Sequence, residues 1–110
     1  MHEVLFDDRF LKDTGVSTLD FAKALIDEGF HPMTIYFPLV VQGALLIEPT
    51  ETESKATLDT FIETVRSLVA AIRQGQAERF HQAPVYTPRR RLDETRAART
   101  PVLRWSPHKT

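Results

Sequence analysis

Apolar and polar positions along this chain alternate in three distinguishable ways, and each change of pattern predicts an element. Val4-Leu5-Phe6 is a short apolar run between Glu3 and Asp7, the signature of a first strand, and Asp13-Thr14-Gly15 breaks the chain after it. From Ser17 the period becomes helical. Ser17 with Asp20 three residues on fits an N-cap with an acidic N3 partner, and Val16 ahead of the cap can staple onto Phe21. Phe21, Ala22, Leu25 and Ile26 make an apolar stripe, and Gly29 supplies the left-handed residue that ends it, so the spacing predicts a helix over Thr18 to Glu28. Pro32 biases His31 to extended backbone. The stretch from Thr34 to Glu48 reads as strand, turn, strand, with Gln42-Gly43 at the turn and Pro38 and Pro49 as punctuation. Thr50 and Glu53 have capping-box spacing, and Leu58, Phe61, Ile62, Val65, Leu68, Val69 and Ile72 recur at offsets of three and four up to a stop at Gln74-Gly75.

The order is therefore strand, helix, two strands, long helix, tail. That predicts an α+β fold: a three-stranded, mainly antiparallel sheet with two helices packed on it, the long helix covering the strand pair before it. Leu25, Ile26, Phe37, Ile47, Phe61, Ile62 and Val65 are the expected core. Residues 1–83 form the expected small α/β domain. Residues 84–110 form a Pro/Arg-rich tail, punctuated by Pro84, Pro88, Pro101 and Pro107, with two turns of helix expected at Leu92 to Arg99. One sheet face is left without cover, to be supplied by Val85, Tyr86, Val102, Leu103 and Trp105 of the tail or by another domain.

Composition narrows the class. With 42% hydrophobic and 26% charged residues this is an ordinary globular composition, sized for one domain. There are no cysteines, which excludes a disulfide scaffold and thiol chemistry. No apolar run approaches the ~20 residues of a membrane helix, and the start Met1-His2-Glu3 has no signal-peptide pattern. A cytoplasmic protein with no membrane partner is expected. Net charge is -1, but residues 1–83 hold 7 basic and 13 acidic side chains (−6) while residues 84–110 hold 7 basic and 2 acidic (+5). Such a tail can meet phosphates or an acidic protein surface. With only Tyr86 and Trp105 placed to stack on bases, nucleic acid is not the expected partner.

The sequence contains no Gly-rich phosphate loop, no histidine pair at metal spacing and no nucleophile elbow. Glu48, Glu51 and Glu53 are close together. Their bland role is at a helix start, where the dipole favours carboxylates, and no metal site is expected. His31 lies in a loop between two elements, where functional residues concentrate, although a single hydrogen bond would also account for it.

Five separated stretches carry a resemblance: Thr18-Leu19-Asp20, Gly29-Phe30-His31-Pro32, Thr34 to Leu39, Ile47 to Lys55, and Arg90 to Trp105 with Arg90-Arg91-Leu92-Asp93-Glu94, Ala97-Ala98-Arg99 and Pro101-Val102-Leu103-Arg104-Trp105 within it. Together they resemble the C-terminal end of subunit 2 in the bacterial glycine dehydrogenase (decarboxylating) family, the P-protein of the glycine cleavage system. Met33, where a second proline is usual, and the residues after Trp105 depart from that pattern. The resemblance implies the small C-terminal domain of an aspartate-aminotransferase-type (fold type I) pyridoxal phosphate enzyme, whose large domain bears the cofactor lysine in a His-Lys-Thr sequence. His108-Lys109-Thr110 repeats those three residues without the flanking glycines, on a terminus where nothing could hold a phosphate.

The intact family enzyme is an oxidoreductase of glycine catabolism. It decarboxylates glycine on pyridoxal phosphate and passes the aminomethyl group to the lipoyl arm of the H-protein. For this chain the resemblance implies a fragment, inactive alone, that partners the missing large domain, subunit 1 and lipoylated H-protein. The start at Met-His-Glu points to a truncated or split reading frame or an expressed fragment. No residue is expected to be catalytic, to bind cofactor or to ligate metal. His31, Thr50 and Glu51 are expected at the rim of the substrate channel, and the chain on its own is expected to self-associate. The alternative is a free-standing, non-catalytic interaction module.

Overall fold

The computed structural model describes residues 3–31, 33–49 and 53–107. In chain order these form β1 (Val4–Phe6), a 3-10 turn (Arg9–Leu11), α1 (Thr18–Asp27), β2 (Thr34–Ile35), β3 (Leu45–Ile47), α2 (Lys55–Arg73), α3 (Ala77–Gln82) and α4 (Glu94–Arg99). The sheet is antiparallel in the order β1-β3-β2, with Leu5 opposite Leu46 and Ile35 opposite Leu45. This is the α+β architecture that the pattern predicts.

The cap of α1 is the predicted one. The Ser17 hydroxyl accepts from the Asp20 amide, and the Asp20 carboxylate accepts from the Ser17 amide. Gly29, at φ +89, follows the helix, and its amide donates to the Ile26 carbonyl. The start of α2 is different. Its N-cap is Ser54, whose side chain accepts from the Thr57 amide, and the expected cap residue Thr50 lies outside the described residues. Several Ser and Thr residues precede this helix, and an apolar stripe beginning at Leu58 does not say which of them ends the extended chain.

The core is one cluster in which α1 is central. Phe21, Ala24 and Leu25 meet Leu45 of the sheet, Leu68, Ala71 and Ile72 of α2, and Phe80 of α3. Phe10 packs edge-to-face on Phe21, and Phe30 on Phe61. The long helix therefore packs chiefly on α1 and only its C-terminal half is buried, which corrects the expectation that its stripe lies over the strand pair. At 1.5 Å per residue α2 is about 29 Å long against about 15 Å for α1, so it overhangs its partner.

Two expected core residues are not core. Phe37 is 58% exposed: β2 stops at Ile35, Tyr36 turns the chain at φ +58, and Phe37 precedes a cis proline outside the strand. Ile62 is 47% exposed, on the overhanging half of α2. Leu25 is fully buried, while Ile26, Ile47, Phe61 and Val65 are partly buried. The short helix α3 and its buried Phe80 have no counterpart in the periodicity, since six residues give the stripe no time to repeat.

The tail does not cover the open apolar surface. Val4, Leu5 and Phe6 are each close to half exposed, and Tyr86, Val102, Leu103 and Trp105 stand out in solvent.

Candidate functional site

The antiparallel register places the entry to β2 and the exit from β3 at one end of the sheet, because Thr34 is opposite Leu46. His31 and Met33 therefore approach the same end as Glu48 and Pro49. His31 is exposed there. Thr50 and Glu51, the other two rim candidates, lie outside the described residues, so only the loops leading to them are defined. Glu48 and Glu53 are exposed, and among the described residues no group of three or more His, Asp or Glu side chains is placed to hold a metal ion.

The best-organised polar constellation lies elsewhere, at the N-terminus of α1, and was not legible as a site. Asp20 is largely buried. Its Oδ2 accepts from the Ser17 amide at 3.0 Å and its Oδ1 accepts from Arg91 Nη2 at 2.7 Å. Arg91 also donates to the carbonyls of Ala83 and Phe80, and Arg90 donates to those of Gln82 and Pro84. His81 Nε2 donates to the Gly15 carbonyl at 2.6 Å, with the Asp20 carboxylate 3.8 Å away and Glu78 3.6 Å from Nδ1. At the other end of α1 the Asp27 carboxylate accepts from the amides of Val85 and Tyr86 at 2.8–2.9 Å. The first residues of the tail are thus fastened to both ends of α1.

Burial is the largest single influence on Asp20 and opposes its charge. The Ser17 amide, the Arg91 guanidinium and the Ser17 hydroxyl together outweigh it and hold the carboxyl below its ordinary range. For His81 the Gly15 carbonyl is the main cause, with Asp20 and Glu78 adding to it against a smaller desolvation effect, and its affinity for protons is raised. Both oxygens of Asp20 are occupied, so the constellation holds structure together rather than presenting a reactive group. Its sequence signal was split between a capping residue and an arginine run 71 positions away.

The turn between the strands is pinned to the same helix end. Thr18 donates to the Gly43 carbonyl at 2.7 Å, and the Leu19 amide donates to the Tyr36 hydroxyl at 3.1 Å. Lysines are the remaining groups of interest. Lys12 is exposed, Lys23 is half-buried on α1, and Lys55 is exposed and paired with Asp59 at 2.8 Å. Lys109 lies outside the described residues.

Two shallow grooves lie on the surface of the described residues. One of about 520 Å³ between α1 and α2 is lined by Glu28, Asp59, Glu63 and Leu68, and its carboxylates already pair with Arg79, Lys55 and Arg66. Another of about 540 Å³ runs beside β1, lined by Leu5, Phe6, Asp7, Arg9 and Phe10. No helix among the described residues is long and apolar enough to cross a membrane.

Comparison with known proteins identifies the family of the chain. Residues 1–88 match the family model described as glycine dehydrogenase, C-terminal domain. The probable glycine dehydrogenase (decarboxylating) subunit 2 of Caulobacter vibrioides is 68% identical over 107 residues, which make up 97% of this chain and 20% of that protein. Proteins of the same description from Caldanaerobacter subterraneus and Oceanobacillus iheyensis are 54% and 52% identical over 106 residues, or 96% of this chain and 22% of each relative. The chain spans about a fifth of the length of the curated relatives it matches. It belongs to the glycine dehydrogenase C-terminal domain family.

Proposed function

We propose that this chain is the C-terminal small domain of a cytoplasmic, glycine-decarboxylating P-protein and contributes closure and part of the substrate-channel rim rather than chemistry. Residues 1–83 are the domain proper and 84–110 its tail. The observation that carries this reading is the 68% identity to a subunit 2 of which the chain spans only a fifth. The exposed Val4, Leu5 and Phe6 of β1, and Phe37 after β2, support it, because large apolar side chains left in solvent on a small domain mark surface that another domain covers. His31, Thr50 and Glu51 are the rim residues in this reading, and the described one of the three, His31, is exposed at the sheet end where β2 begins and β3 ends.

Pyridoxal phosphate, the cofactor of the family, supplies an electron sink for loss of carbon dioxide when bound. The described residues do not fit it. Covalent attachment needs a desolvated lysine beside a phosphate cradle, whereas Lys12 and Lys55 are exposed, the latter in an ion pair, and Lys23 sits on a half-buried helix position. In this reading the cofactor is held by the large domain, and the partners of this chain are that domain, subunit 1 and the lipoylated H-protein.

The test is reconstitution. Mixing this chain with the upstream four-fifths of the Caulobacter vibrioides relative, its subunit 1 and H-protein should restore exchange of carbon dioxide with the carboxyl of glycine, while the chain alone shows none. Turnover by the isolated chain, or failure of the parts to associate and react, overturns the proposal.

A further inference from the structure

Resting on the reading above, we propose that the turn between β2 and β3, with Leu39 and Val40 near its middle, is the anchor by which this domain docks on the upstream domain of its own protein. Among the described residues ahead of the tail, every exposed large hydrophobic side chain except Ile62 lies in β1 or in residues 36–40 of this turn. Leu39 and Val40 are 84% and 93% exposed, the highest values in that set. The turn itself does not call for them, since small polar residues and glycine serve a connection between strands better. Its backbone nevertheless holds them in one place. The Thr18 hydroxyl and Leu19 amide of α1 donate to the Gly43 carbonyl and the Tyr36 hydroxyl, the Tyr36 amide donates to the Ala44 carbonyl, and the Val41 amide donates to the Pro38 carbonyl. A preorganised apolar projection has little freedom to lose on binding, which suits it to be the hot spot of an interface.

The size of the remaining polypeptide and its point of attachment name the occupant. The 107 matched residues are 20% of the Caulobacter vibrioides relative, so in that reading roughly 430 residues lie upstream and join ahead of β1. A body of that length has a radius of gyration of about 22 Å. β1 spans only about 10 Å. The turn lies just past its far end, where the Asp8 amide donates to the Gln42 carbonyl and the Asp8 side chain lies against Gly43. An interface of standard size takes about 800 Å² from each partner, a patch of about 16 Å radius. One that covers β1 therefore reaches the turn as well. The exposed side chains of β1 and those of the turn are then two parts of one docking surface, with the turn as its projecting part.

The chain has no cysteine, so Val40→Cys gives the turn a thiol of its own. The test compares the 110-residue chain with a full-length chimera in which it replaces the C-terminal fifth of the Caulobacter vibrioides relative. Maleimide labelling of residue 40, followed by peptide mass, should run at the rate of a free thiol in the isolated chain and at least about tenfold more slowly in the chimera. Leu39→Asp/Val40→Asp should leave the melting temperature of the isolated chain unchanged and lower that of the chimera by several degrees, because the substitutions matter only where the turn is covered. Should the double variant fail to fold as an isolated chain, the labelling rates decide alone. If a chimera active in glycine exchange labels as fast as the isolated chain, or its melting is indifferent to the double variant, the anchor is wrong and the fragment reading stands. A folded chimera without that activity removes the fragment reading and the anchor with it. Protection that grows with the concentration of the isolated chain gives the turn to a second copy, and protection that appears only on adding subunit 1 gives it to that subunit. Either result overturns the proposal.

Discussion

Gly43 shows how one residue couples two segments. Its φ is +60, and a Cβ there would overlap the Asp8 side chain, whose own amide donates to the Gln42 carbonyl. Gly43→Ala therefore meets both left-handed backbone strain of about 1–2 kcal/mol and a side chain that is held by its own Cβ. A drop in the urea midpoint is expected, partly relieved in Asp8→Gly/Gly43→Ala relative to Asp8→Gly alone. Titration of the α1 clasp is also a residue-scale matter. Protonated His81 is favoured in the folded chain, so its contribution is complete below its ordinary value of 6.5 and is lost as the pH rises through the higher folded-state value. Asp20 acts in reverse. Ionised Asp20 contributes above its ordinary value of 3.8, and that contribution disappears as the pH falls through the lower folded-state value. Urea midpoints should decline on both sides of a plateau, and His81→Gln should flatten the alkaline decline while leaving the acid one.

Among the elements, α1 organises the molecule because the sheet, α2 and α3 all meet it. Ser17→Ala removes its cap and is expected to cost about 1 kcal/mol. Arg91→Ala leaves Asp20 without its charged donor, and a loss of about 1.5–3 kcal/mol is expected by chemical denaturation. Phe80 is fully buried between α3 and the rest of the core, so Phe80→Ala should cost about 3–5 kcal/mol. Phe61→Ala, which the stripe of α2 alone would rank with it, should cost less, because Phe61 is only partly buried against Phe30. Comparing the two midpoints checks whether the N-terminal half of α2 overhangs the core.

For the whole molecule, the exposed apolar residues of β1 and of the turn after β2 predict dye binding by the isolated chain, suppressed when the upstream part of the family protein is supplied. Cofactor retention is a second test at this scale. Incubation with pyridoxal phosphate should give only weak labelling that dialysis removes. A stoichiometric adduct surviving dialysis and lost in Lys109→Ala would make His108-Lys109-Thr110 a genuine attachment site.

The sequence by itself determined the types and order of the three strands, α1 and α2, the Ser17–Asp20 capping box and the stops at Gly29 and Gly75, because caps, stripes and breakers act over three or four residues. It also carried the family, through motifs spread along the chain in one order. Tertiary structure alone decided that Phe37 and Ile62 face solvent, that the long helix rests on α1, and that Phe80 is core, since periodicity names an apolar face without naming what covers it. The pairing of Asp20 with Arg91 belongs there too. A buried carboxylate must find a donor, but which of the tail's arginines reaches it depends on how α3 and the residues after it bring residue 91 back to the start of α1.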